Sequence, residues 1–472
     1  MVLSREGSES PRNMALEPRE ISKHSSDGGR LVPEGSDASG ARSNFLRMSI
    51  WFAVNHACAT APIVYATSIL DSQVGYAGNA VLYLCSMISA LLVAVLAVDI
   101  TGLRGGLVLG MSLYSVYVAS FTASALLTQS VALQWALFIF GSACDGFGAG
   151  ILWTAEGGYM ALSATAISEL TGEKREAVTG SLAGQFAFYY LILEVVVKLL
   201  FSFLQNLGLQ VWQIGLLYTS VSCLATFMMT SIDNLGLQVN GKKDEQVEKK
   251  STFAKLFAAV SLWGDPKIWL LSPTNITFGF SAAYLNGYFN SHFATAELGA
   301  KSIGTLTSVT VLSAAVLSQA YGVLSKRLGK GIVITVGAMS FLAIPCILLL
   351  APCCEGWGWK LLMFYVLQGS GRAVYESTNK AVFSDFFVGK DTDGAFANCA
   401  LQMSVSSATL FFLSSAFDGK LLAKLVMFSA VITPLVYAIT VQLQKAEHRT
   451  RTKEYKPVDP ASDSDRKPSP RR

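Results

Sequence analysis

Residues 76–98 read YAGNAVLYLCSMISALLVAVLAV, without a charged side chain or a proline. About 20 helical residues cross a hydrocarbon core about 30 Å thick, so this run is long enough to span a bilayer. Its apolar residues are continuous rather than alternating, which argues against a strand of a transmembrane barrel. Stretches of similar length occur near residues 45–69, 105–127, 131–155, 178–204, 211–231, 268–291, 302–325, 331–351, 358–381, 395–417 and 421–443. The expected fold class is therefore an all-α membrane protein with twelve transmembrane helices.

Of the 472 residues, 52% are apolar and 14% charged, whereas an ordinary soluble domain carries about 25% charge. The charges gather at the ends: residues 1–44 hold 6 basic and 7 acidic side chains, and residues 445–472 hold 9 and 5. A body so poor in charge would need a very large dry core in water, whereas a bilayer supplies apolar solvent for the outer faces of many helices. Both end segments are expected to be disordered tails. Residues 1–44 contain no apolar core of signal-peptide length, so the first span is expected to act as the targeting signal. The net charge of +4 is scattered without interleaved aromatic residues and gives no support to nucleic-acid binding. Cys58, Cys85, Cys144, Cys223, Cys346 and Cys399 lie inside apolar runs, where a thiol behaves as a small hydrophobe. Adjacent Cys353 and Cys354 have no cysteine in another connecting loop to pair with, so no structural disulfide is expected.

Lys and Arg mark the cytosolic side of a membrane protein. The loops after the first, third and fifth spans contain neither, while Arg104, Lys174, Arg175, the run from Lys242 to Lys255, Lys326, Arg327, Lys330, Lys390 and both tails fall on the other side. Both termini are thus expected in the cytosol, in the plasma membrane or an endomembrane. The polar stretch 232–250 divides the spans into groups at 45–231 and 267–444. Within the linker 232–266, Phe253, Leu256, Phe257, Val260 and Trp263 fall on one face of a short helix expected to lie at the membrane surface.

Two halves invite a search for a repeat. After the second span come Asp99, Gly102 and Arg104; after the eighth come Gly322, Lys326, Arg327, Gly329 and Lys330. These loops resemble the Gly-x-Leu-x-Asp-Arg-x-Gly-Arg/Lys loop of the major facilitator superfamily, although Lys326 stands where the acid is usual and the first copy lacks the leading glycine. In that superfamily the loops latch the cytosolic side closed. Residues 146–160, GFGAGILWTAEGGYM, and 369–387, GSGRAVYESTNKAVFSDFF, narrow the resemblance, with LLSPTNITFGFSAAYLNGYF at 270–289 as a third segment. They are similar to the Unc-ninety-three-like, ion channel regulatory branch of the superfamily. The motif positions are Gly148, Gly150, Trp153, Glu156, Tyr159, Arg372, Lys380 and Asp385, with Glu156 replacing the frequent Gln. The resemblance covers roughly residues 45–443. It implies a non-enzymatic protein that regulates potassium channels or chaperones membrane receptors; a channel or receptor is then the expected partner.

Ionisable groups at membrane depth are costly and should face the bundle interior with a partner. His56, Asp145, Arg372 and Glu376 are the central-cavity candidates. Arg372 follows Asp145 by 227 residues, the offset that also relates the two latch loops, so a charge pair across the midplane is one reading. An ion or small solute held between the two is another, and local satisfaction of each charge is a third. Arg372, Glu376 and Lys380 line one helix face, as a cation path or as a stitch to neighbouring helices. Glu194 and Lys198, four apart, are expected to form a structural ion pair. Gly146 and Gly150 permit close helix approach, and Trp153 and Tyr159 are expected to anchor at the interface, with a place in a cavity wall as the lesser reading.

His24, His56, His292 and His448 do not cluster as metal ligands, and zincin, P-loop and nucleophile-elbow motifs are absent. No enzyme, metal or cofactor is expected. In the C-terminal tail, Tyr455 and Val458 form a Tyr-x-x-apolar string of the kind read by sorting adaptors. Regulation of channels or of membrane-protein trafficking is the leading expectation; alternating-access transport of a small solute or ion is the alternative.

Overall fold

The computed structural model describes residues 37–234, 259–350, 354–387 and 391–454. The tails with Tyr455 and Val458, and most of the linker with Phe253, Leu256 and Phe257, lie outside the described residues. Among the described residues all regular structure is helical.

The first helix, α1 (Ala38–Ile69), starts inside the segment expected to be a tail, because Asp37 caps it by accepting from the Gly40 amide at 2.7 Å. Arg42 pairs with Glu173 and fixes that first turn. Next, α2 (Ser72–Ile88) runs through the π-helical turn Ser89–Val93 into α3 (Ala94–Leu126), with Asp71 accepting from the amides of Gln73 and Val74 at the start. Gly102 interrupts this rod at φ 73° and ψ 170°, a conformation that only glycine adopts readily. The remaining helices of the first group are α4 (Val131–Thr171), α5 (Arg175–Asn206) and α6 (Val211–Met229).

The second group comprises α7 (Ser272–Ala283), α8 (Ile303–Leu328), α9 (Lys330–Leu350), α10 (Leu362–Val374), α11 (Thr392–Ala416) and α12 (Gly419–Glu454). Helix α7 continues into the π-helical segment Tyr284–Ala294, and α10 into the π-helical Tyr375–Asn379 and then Lys380–Phe386. Between α8 and α9, Gly329 has φ 91°, and it follows Gly102 by the same 227 residues that relate Arg372 to Asp145. Helix α12 passes residue 444, held there by Glu447 on Lys267.

Packing repeats between the groups. The pairs α1–α5, α2–α4 and α3–α6 are matched by α7–α11, α8–α10 and α9–α12. The groups meet through α2 on α11, α5 on α8, and α1 on the π segment after α7. Among the described residues, eight helical stretches are long and apolar enough to cross a bilayer by length and composition, Ser72–Leu126 counted as one. Many large apolar side chains on them point outward, Phe188, Phe203, Leu216, Phe227 and Leu435 among them. Such a surface suits lipid rather than water, and the chain is a multi-pass membrane protein.

Candidate functional site

Two helices, α5 and α10 with its π-turn, build the charged centre. On α5, Glu194 and Lys198 share a face and pair, as their spacing predicts. Arg372 reaches across from α10 with Nη1 3.4 Å and Nη2 3.3 Å from the two oxygens of Glu194, while its Nε donates to Glu376 at 2.8 Å. Four buried or half-buried charges thus cancel in one cluster that joins the two groups of helices. A side chain at the α10 π-turn is well placed for this, since the extra residue re-aims Glu376 relative to a regular helix.

Arg372 does not pair with Asp145, contrary to one reading of the 227-residue register. Asp145 sits on α4 with 3% exposure, and its Oδ1 has no hydrogen-bond partner. The register fixes depth along a helix but not rotation about its axis. A Cβ on Gly146 would overlap the Leu82 carbonyl of α2, and one on Gly148 would stand 2.9 Å from the Gly110 carbonyl of α3. This face of α4 is wedged against α2 and α3, and Asp145 goes with it. Gly150 likewise has no room beside Ser89.

His56 on α1 is ringed by Phe52, Tyr114, Trp153 and Tyr190, the last with its ring centroid 4.9 Å away. Its Nδ1 has no hydrogen-bond partner. Trp153 is therefore a member of an interior aromatic group rather than an interface anchor, although it remains 38% exposed. Tyr159 is no anchor either. It is fully buried, accepts from Asn44 Nδ2 at 2.6 Å and donates to the Asp233 carbonyl at 2.9 Å. The aromatic character that suits an interface also suits a cavity wall, which is why sequence alone misassigned both. Tyr190, Tyr114 and Phe52 were missed altogether; the one available signal was Tyr190 lying four residues before Glu194.

The two ends of the molecule differ. Near the α1–α2 turn, the groups are joined by Thr67 Oγ1 to the Asn286 carbonyl, Tyr76 OH to Ser291 Oγ, Asn290 Nδ2 to the Val64 carbonyl, and the Thr305 amide to Ser202 Oγ. Gly304 permits this approach, because a Cβ there would overlap the Lys198 carbonyl and the Tyr65 hydroxyl. At the opposite end the polar ties run within each group. Arg104 donates to the Ile232 carbonyl, Lys330 pairs with Asp385, and Trp263 donates to Asn398. There too, burial works against the Lys267 ammonium, but the Glu447 hydrogen bond and the Asp265 and Glu447 charges outweigh it and raise its pKa. Glu156 is buried with Oε1 unpartnered, while Lys380 and Asp385 are exposed. Asn275, within a sequence of glycosylation form, is buried between Gln402 and Asn379.

The family described as "Ion channel regulatory protein UNC-93" matches residues 67–354, more than half the chain. The chain belongs to the UNC-93 family. Protein unc-93 homolog A of Bos taurus is 22% identical over 387 residues, covering 72% of this chain and 80% of the relative. Protein unc-93 homolog A of Danio rerio is 24% identical over 449 residues, covering 84% and 90%. Among solved structures, a POT family transporter in complex with 5-aminolevulinic acid is similar at TM-score 0.61 and 11% identity, over 88% of this chain and 97% of that one. That likeness shows the fold alone: this UNC-93 family member has the helical architecture of major facilitator transporters.

Proposed function

We propose that this UNC-93 family protein is a non-enzymatic regulator of an ion channel, potassium channels included, or of membrane-protein trafficking. In this reading it spans the membrane twelve times with both termini cytosolic, as two six-helix halves divided near residues 232–266. The observation that carries it is the charge balance at the centre. Glu194, Lys198, Arg372 and Glu376 spend their charges on one another, which suits a body held together for display more than one awaiting a charged solute. Copurification in mild detergent tests it: a channel or receptor recovered in stoichiometric amount supports the reading, and repeated recovery of the chain alone counts against it.

Alternating-access transport is the second reading, favoured by the end-to-end asymmetry. Ties between the halves cluster at the α1–α2 end, the non-cytosolic side under this orientation, as in a transporter open to the cytosol. His56 and Trp153 would then line the central path, and the Gly102 and Gly329 loops would latch the cytosolic side. Vesicles holding the purified protein that move no small solute or ion faster than empty vesicles would sink this second reading.

A further inference from the structure

We propose that Asp145 is a proton-binding site within the membrane. The proposal stands whether the protein regulates a channel or moves a solute.

Asp145 is buried, its Oδ1 is unpartnered, and among the described residues no base pairs with it. The nearest titratable groups come from α2, α3 and α4: Tyr83 and Cys85 from α2, Tyr114 and Tyr117 from α3, and Cys144 from α4 itself. Farther out, His56 of α1 and Tyr190 of α5 lie against Tyr114, with Glu194 and Arg372 beyond. The hydroxyls of Tyr117 and Ser142 are also unpartnered.

A bare carboxylate in such surroundings costs several kcal/mol unless its charge is neutralised. A protein base, an alkali cation and a proton are the three ways to do that. Among the described residues no base pairs with Asp145, and the guanidinium of Arg372 is committed to Glu194 and Glu376. An alkali ion needs several oxygens, yet α4 is regular helix here, so its carbonyls are taken by its own amides. The phenols and thiols supply too few. A proton needs one oxygen atom, and a bridging water would satisfy a lone pair without removing the charge.

When the Asp145 O–H bond breaks, its electrons stay on the carboxylate and the proton leaves to water.

Infrared difference spectra of the purified full chain, recorded between acidic and alkaline buffers in H2O and D2O, test the site. The wild type should show the C=O stretch of a buried carboxylic acid that shifts in D2O, is lost in alkaline buffer and is missing from Asp145→Asn. Asp145→Glu should move the band, which gives the assignment even where Asp145→Asn folds poorly. No such band at any pH, a band that Asp145→Glu leaves unmoved, or a wild-type band that alkaline buffer cannot remove would overturn the proposal. Thermal stability supplies a second readout: the wild type should lose stability as pH rises where Asp145→Asn does not, and identical profiles would overturn the proposal.

Discussion

Glu194 and Asp145 are carboxyl groups with the same 3% exposure, on helices of the same group, yet their situations are opposite. Glu194 is held by Lys198 on its own helix and by Arg372 from the other group. Asp145 lies among phenols, glycines and thiols, with no base paired to it among the described residues. Burial alone therefore does not set the state of a membrane carboxylate; the company it keeps does. One is an ionised rivet between two sets of helices. The other is stable there only when neutral.

The largest effects should come from breaking the rivet. Arg372→Ala leaves Glu194 with one cation and Glu376 with none, and Glu194→Gln leaves Lys198 without its anion. Removing one partner of a buried pair typically costs about 3–5 kcal/mol, so both variants should show markedly lowered unfolding temperatures in detergent. Arg372→Lys should rescue only partly, because an ammonium cannot reproduce a fork that serves two carboxylates. If Arg372→Ala unfolds with the wild type, the cluster is not what joins the two groups.

The fold was legible where composition alone decides it. The apolar runs at 76–98 and 331–351 appear as α2 with its continuation and as α9, and the motif segments 146–160 and 369–387 fall on α4 and at the α10 π-turn. The spacing of Glu194 and Lys198 announced their pair. What spacing does not encode is a third party from 178 residues away, which is how Arg372 joins them. The repeat register named the wrong partner for Asp145, since rotation about the α4 axis is set by glycines packing on α2 and α3.

Asp145→Asn probes the other side of the comparison and should change stability much less. An amide is close in shape to a neutral carboxyl, so in acidic buffer, where Asp145 is protonated folded and unfolded alike, the difference should stay within about 1 kcal/mol and should grow in favour of Asp145→Asn as pH rises. A difference of several kcal/mol already present in acidic buffer, read from the same unfolding measurement, would mean that more than a proton separates the two carboxyls. The contrast with Glu194 would then be one of strain rather than of protonation.

Solvent gives the smallest effect of all. Lys330 and Asp385 pair near the Gly329 loop, as Glu194 and Arg372 do at the centre, but their side chains are 30% and 58% exposed. Water and salt compensate each charge when its partner is removed, so an exposed pair contributes only about 0–1 kcal/mol. Lys330 also donates to the Ala381 carbonyl, which keeps the loss from vanishing. Lys330→Ala should therefore lower the unfolding temperature slightly, and added salt should shrink the difference from wild type, while the Arg372→Ala deficit should persist in salt. If the Lys330 deficit proves as large and as salt-insensitive as that of Arg372, then partners alone, and not the solvent around them, rank the ion pairs of this protein.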